Sequence, residues 1–208
     1  MKPDKKVWIP AVAAAIIAVL LIAVSLYAGW THERPDGKIP HPPGPRNEGL
    51  GEYATTLGTI ALFAGAAGFS WFWFRKRLKS PSGLVRRAGK LLYAWHKPLG
   101  WVTVSLIAIH GAYLGIAKFG DDKVYTGLAG FIVLVTLAGY GHLIRRVRNR
   151  WMRAVHRSLG LLLAPVLIVH AGGSAILAIL AALAVGAAVS LLERIVRTNR
   201  APDTGPSS

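Results

Sequence analysis

Four of the seven histidines in this 208-residue chain fall into two equal intervals: His96 and His110 are 14 residues apart, and so are His156 and His170. Fourteen helical residues turn through about 1400°, roughly 40° short of four full turns, and rise about 21 Å. Each pair therefore lies on one face of its helix, with one histidine toward each end of a membrane span. Two parallel helices of this kind bring four imidazoles to two matching depths, and a pair of imidazoles is an axial ligand set for a b-type haem. The chain has no cysteine, which excludes disulfides, iron–sulfur clusters, thiolate-ligated haem and c-type haem attachment. Any metal must be held by other side chains.

The inner histidines open a repeated phrase, His96-Lys97-Pro98-Leu99-Gly100 and His156-Arg157-Ser158-Leu159-Gly160. Gly100 and Gly160 stand four residues on, one turn inward on the ligand's own face, where a side chain would meet a porphyrin edge. Lys97 and Arg157 are long cations at the helix ends, suited to reaching water and pairing with haem propionates. The expected inner site is thus His96 with His156, and the outer site His110 with His170.

The elements that must position these residues are membrane helices. The chain is 53% hydrophobic and only 16% charged, against about 25% charged in a soluble domain. Stretches without charge and long enough to cross a core of about 30 Å predict helices near 7–30, 53–74, 91–117 and 124–147. From Ser158 to Leu192 there are 35 uncharged residues, about 50 Å as one helix and too long for a single crossing. Gly172 and Gly173 are the break within it, which gives a fifth helix near 152–171 and a sixth near 174–194. The expected fold is an all-α, six-helix transmembrane bundle spanning 7–198, after a short N-terminal segment 1–6. The first span exceeds a signal-peptide core and lacks a clear cleavage site, so it is read as a retained helix.

Charge sets the expected orientation. The chain has 25 Lys and Arg against 9 Asp and Glu, a net charge of +16. The basic residues gather before the first span, between spans two and three, between four and five, and after six, so both termini are expected in the cytoplasm. The excess is read as a topology signal with contact to anionic lipid, not as nucleic-acid binding. The extracytoplasmic loop 31–52 carries Pro35, Pro40, Pro42, Pro43 and Pro45 and is expected to be an extended connector; 199–208 is expected to be a disordered tail. His142, three residues before Arg145, has no partner at the 14-residue interval and is read as an interfacial or supporting residue. His32 and His41 are read as solvated loop residues. Met152 precedes the inner histidine of its own helix and is not read as a ligand.

The two histidine helices, and the stretch Val155-His156-Arg157-Ser158-Leu159-Gly160 running to Val169-His170-Ala171, are similar to the ferric-reductase-like transmembrane domain family. That family is shared by ferric reductases, NADPH oxidases and the haem subunit of a bacterial methionine sulfoxide reductase system. The resemblance implies a six-helix core whose third and fifth helices each give two histidines to stacked haems, in the cell membrane of a bacterium. Cytochrome b of quinol-oxidising complexes has a comparable arrangement, but helix order favours the first family. The 208 residues contain no flavin or nicotinamide domain and no GxGxxG phosphate loop, so a complete reductase activity is not expected of them alone.

The function expected is transmembrane electron transfer by two haem b groups. The partner is quinol or a separate flavoprotein on one side and an acceptor on the other. Two alternatives stand beside it: a haem-containing anchor for a peripheral oxidoreductase, and a histidine-based proton or metal-ion transporter. The transporter is disfavoured because none of the nine acids lies clearly within a span, whereas ion pathways use such groups.

Overall fold

The computed structural model describes residues 5–31, 48–118, 121–147 and 149–199. The N-terminal segment 1–4, the proline-rich connector with His32 and His41, and the C-terminal tail lie outside them. The described residues form a 3-10 turn at Lys5–Trp8 and six helices: α1 Ile9–Thr31, α2 Glu48–Phe74, α3 Gly83–Ala117, α4 Asp122–Leu143, α5 Arg150–Ala171 and α6 Gly173–Thr198. All six are long and apolar enough to cross a membrane.

Three helix starts are fixed by side-chain caps. Ser82 accepts from the Val85 amide, Asp121 from Lys123, and Asn149 from Trp151, each satisfying one orphan donor of a helix's first turn. The fifth and sixth helices are separated by one residue, Gly172, whose φ of 56° is open to glycine and strained for other residues. The glycine break read from the sequence therefore stands where it was expected.

Helix ends differ from the sequence reading. Counting charge-free residues finds the hydrocarbon-crossing part of a helix, but hydrogen bonding continues into the polar interface. Thus α2 begins at Glu48 and takes in residues assigned to the connector, while α3 begins at Gly83, eight residues before the expected 91. Its added turns bury Val85 against Phe74 and Val189. At its other end α4 stops at Leu143, and the residues expected to carry it to 147 turn instead: the amides of Arg146 and Val147 both reach back to the Leu143 carbonyl. The sixth helix runs on to Thr198, four residues past the expected end.

Packing divides the bundle into two antiparallel hairpins. The third helix lies along α2 and the fifth along α4; α1 backs α4, and α6 lies against α2 and α5. One core is built from α1, α4 and α5 around Ala18, Ala129, Val133, Met152 and Val155. The second joins α2, α3 and α6 through Phe74, Val85 and Val189. Small residues line α6 where it is buried, at Ala175, Ala178, Ala182 and Gly186, letting backbones approach as membrane helices require. By contrast, α3 and α5 share little direct backbone contact among the described residues. They are held apart as the walls of a slot, each supported from behind by its hairpin partner.

Candidate functional site: two stacked imidazole pairs

Each histidine of the two intervals is held by the preceding helix. The Nδ1 of His96 lies 2.9 Å from the Gly68 carbonyl, that of His110 2.7 Å from the Ala54 carbonyl, and that of His156 3.0 Å from the Leu137 carbonyl. A carbonyl oxygen only accepts, so in all three Nδ1 carries the proton and Nε2 keeps its lone pair. For His170 the acceptor is the Thr126 hydroxyl, 3.0 Å from Nδ1. That hydroxyl donates its own hydrogen to the Lys123 carbonyl at 2.9 Å, leaving its oxygen to accept from His170. All four imidazoles are thereby set in the tautomer that presents a free Nε2.

These bonds also fix helix direction. Along α3 the acceptors on α2 run from residue 68 back to 54, and along α5 those on α4 run from 137 back to 126. Both hairpins are antiparallel. The rings then meet in the expected combinations: His96 faces His156 with centroids 6.2 Å apart and planes at 84°, and His110 faces His170 at 6.4 Å and 83°. Matching order on both helices makes α3 and α5 parallel.

The donor set fits a haem. A metal–imidazole bond is about 2 Å long, so one metal between two Nε2 atoms sets the ring centroids roughly 6 to 6.5 Å apart. Both pairs fall in that interval. The hydrogen bond from each Nδ1 is the support that a ligating histidine ordinarily has, and it raises the basicity of the ligating nitrogen. Two imidazoles supply only two ligands, and no group of three or more His, Asp or Glu side chains converges among the described residues. That suits a metal whose equatorial ligands come with a macrocycle better than a bare ion.

The imidazoles reach these acceptors because side chains are missing where they pass. A Cβ on Gly58 would lie 2.7 Å from the His110 ring, one on Gly127 2.9 Å from His170, and one on Gly141 3.0 Å from His156. Gly58 and Gly141 each stand four residues after the carbonyl used, one turn along the same face. Gly127 stands in the same relation to Lys123. At the fourth position Gly68 itself supplies the carbonyl, and a Cβ there would sit 3.9 Å from His96.

The other residues singled out in the sequence have the following surroundings. A Cβ on Gly100 would meet nothing within 4 Å, and one on Gly160 would meet only Leu137 at 3.9 Å. Lys97 and Arg157 are exposed, and the Arg157 guanidinium donates to the Arg153 carbonyl of its own helix. His142 belongs to neither pair; its ring meets Trp101 edge-on at 6.1 Å, and its buried Nδ1 has no partner. Met152 is packed in the α1–α4–α5 core. The supporting residues Ala54, Gly58, Thr126, Gly127, Leu137 and Gly141 were not singled out. Their signal is the same interval as the histidines: Ala54 and Gly68 are 14 apart, and so are Gly127 and Gly141. No family model, curated protein or solved structure matches this chain.

Proposed function

We propose that the chain is a b-type cytochrome that binds two haems and passes electrons across the membrane. The observation that carries this reading is the pair of facing imidazoles, met twice at centroid separations of 6.2 and 6.4 Å with every Nδ1 engaged by the neighbouring helix. His96 and His156 would hold one iron, and His110 and His170 the other. Each bound haem supplies a one-electron redox couple.

The chain's own part is position and surroundings. The acceptors on α2 and α4 engage each Nδ1 and so leave each Nε2 free for an iron, in a slot between apolar helices. The two levels, about 21 Å apart along the helices, divide the membrane crossing into shorter steps. Lys97 and Arg157 stand at the basic end, where propionates could pair with them. On the charge distribution this end faces the cytoplasm. The donor we favour is quinol or a separate flavoprotein, which makes the chain the electron-carrying component of an oxidoreductase in a bacterial cell membrane. A path for bare metal ions has less behind it, because no third ligating side chain joins either pair among the described residues.

The test is a haem count and optical spectrum of the purified chain and its single alanine variants. The unaltered chain should hold two haems. His96→Ala and His156→Ala should lose the same one, and His110→Ala and His170→Ala the other. A colourless chain that stays so when haem is supplied, or four unrelated phenotypes, would end the proposal.

A further inference from the structure

The bundle contains a second polar construction that the imidazole pairs do not use. At the end of the bundle where α2 finishes and α6 finishes, the Arg77 guanidinium is held at three points. It pairs with Glu193 at 2.9 Å and donates to the Trp73 carbonyl and the Ser190 hydroxyl, each at 3.0 Å. Glu193 is buried, at 8% exposure. Behind this junction, a Cβ on Gly186 would lie 2.6 Å from the Trp73 ring, so the indole rests directly on the α6 backbone.

Beside the junction opens a cleft of about 400 Å³ lined by Arg77, Ser190, Glu193, Arg194, Arg197 and Thr198. Three guanidiniums against one carboxylate leave it with two net positive charges. Glu193 is engaged by Arg77, whereas Arg194 and Arg197 have no ion-pair partner among the described residues. A smaller cleft of about 250 Å³, which also has Arg77 in its lining, is formed with Phe72, Trp73, Arg75 and Lys76. There Arg75 lies over the Phe72 ring at 4.9 Å, and its buried Nε has no partner. The aromatic run Trp71 to Phe74 marks the interfacial level of α2. Both clefts therefore open at headgroup depth with arginines in place, the larger one between the turn that follows α2 and the end of α6.

We propose that the larger cleft is a binding site for the phosphate of an anionic phospholipid, gripped by Arg194 and Arg197 and floored by the Arg77–Glu193 pair. Basic pockets between membrane helices at the inner surface are suited to such headgroups, and guanidiniums pair with phosphate through two parallel hydrogen bonds. The acyl chains would run from there into the membrane along the exposed apolar flank of α6, where Leu191, Leu180 and Leu177 face outward. A free phosphate shares the headgroup chemistry but lacks the chains.

The experiment is native mass spectrometry of the full chain released from bilayer nanodiscs of phosphatidylglycerol mixed with phosphatidylcholine. The unaltered chain should retain phosphatidylglycerol in preference to phosphatidylcholine and keep it when millimolar inorganic phosphate is added. Arg194→Gln with Arg197→Gln should lower retention about fivefold for each charge removed. Arg194→Lys with Arg197→Lys should retain the lipid, and Arg87→Gln with Lys90→Gln, at the same end, should match the unaltered chain. Three results would overturn the site: no preference between the lipids, an equal loss in the Arg87 and Lys90 variant, or displacement by phosphate alone. The first and third need no variant, so they hold even if the glutamine pair fails to fold.

Discussion

The α2–α3 and α4–α5 hairpins solve one problem with the same parts and differ in the type of one hydrogen-bond acceptor. In each, the second helix carries two histidines 14 residues apart and the first helix accepts a hydrogen bond from each. In α2–α3 both acceptors are backbone carbonyls. In α4–α5 one is a carbonyl and the other is the Thr126 hydroxyl. Three imidazoles are therefore held by atoms that no side-chain replacement removes, and can be dislodged only by adding bulk where the ring passes. The fourth is held by a group that a single replacement deletes.

Adding bulk is the harsher way to break the likeness. Gly58→Val should have the largest effect, because even its Cβ would stand 2.7 Å from a ring pinned to the Ala54 carbonyl. The imidazole has to leave its acceptor, and losing such support weakens metal binding by about 10–100-fold. Haem titration of this variant should show the His110–His170 site weakened by that factor and the other site unchanged. Gly127→Ala and Gly141→Ala, with contacts of 2.9 and 3.0 Å, should follow with smaller losses at opposite levels. Gly139→Ala, whose Cβ meets nothing within 4 Å, should bind both haems normally. Loss at the wrong level in any of these would separate the glycines from the imidazoles they border.

The sequence made the histidine pairs, the six helices and the Gly172 break legible because each rests on periodicity, length or one special backbone angle. Helix ends were less legible. Charge-free length does not register the interfacial turns of α3, where Val85 is buried although Arg86 and Arg87 follow it. The supporting glycines were missed for another reason. In a membrane helix a glycine ordinarily serves close packing, and only the contact across the hairpin shows that Gly58 and Gly141 admit a ring to a carbonyl. The acceptor carbonyls themselves belong to residues of unremarkable type, Ala54 and Leu137, so residue identity carries no trace of them.

Deletion is the milder way. Thr126→Val keeps the shape of the side chain and removes the oxygen that accepts from His170, so affinity at the His110–His170 site should fall toward the lower end of that range, about tenfold. The His96–His156 site should not respond, and Thr126→Ser should restore binding. If valine and serine behave alike, the Lys123 carbonyl has taken over as acceptor and the two hairpins are more alike than their hydrogen bonds suggest.

The smallest effects should come from the helices that back the hairpins, because they support the walls of the slot and do not touch the imidazoles. Glu193→Gln weakens the tie of α6 to Arg77, and Tyr140→Phe removes the hydroxyl that donates to the Val7 carbonyl and ties α4 to the N-terminal turn. A hydrogen bond of either kind contributes about 1–2 kcal/mol net, so each variant should unfold at a modestly lower temperature in detergent while binding two haems with unchanged spectra. The pair also asks whether the hairpins are independent. Each variant loosens a different one, so their combined destabilisation should equal the sum of the two if α2–α3 and α4–α5 respond separately. A combined loss well below that sum, or a haem lost from either single variant, would mean that the slot is held as one unit and that the backing helices set the spacing of the imidazoles.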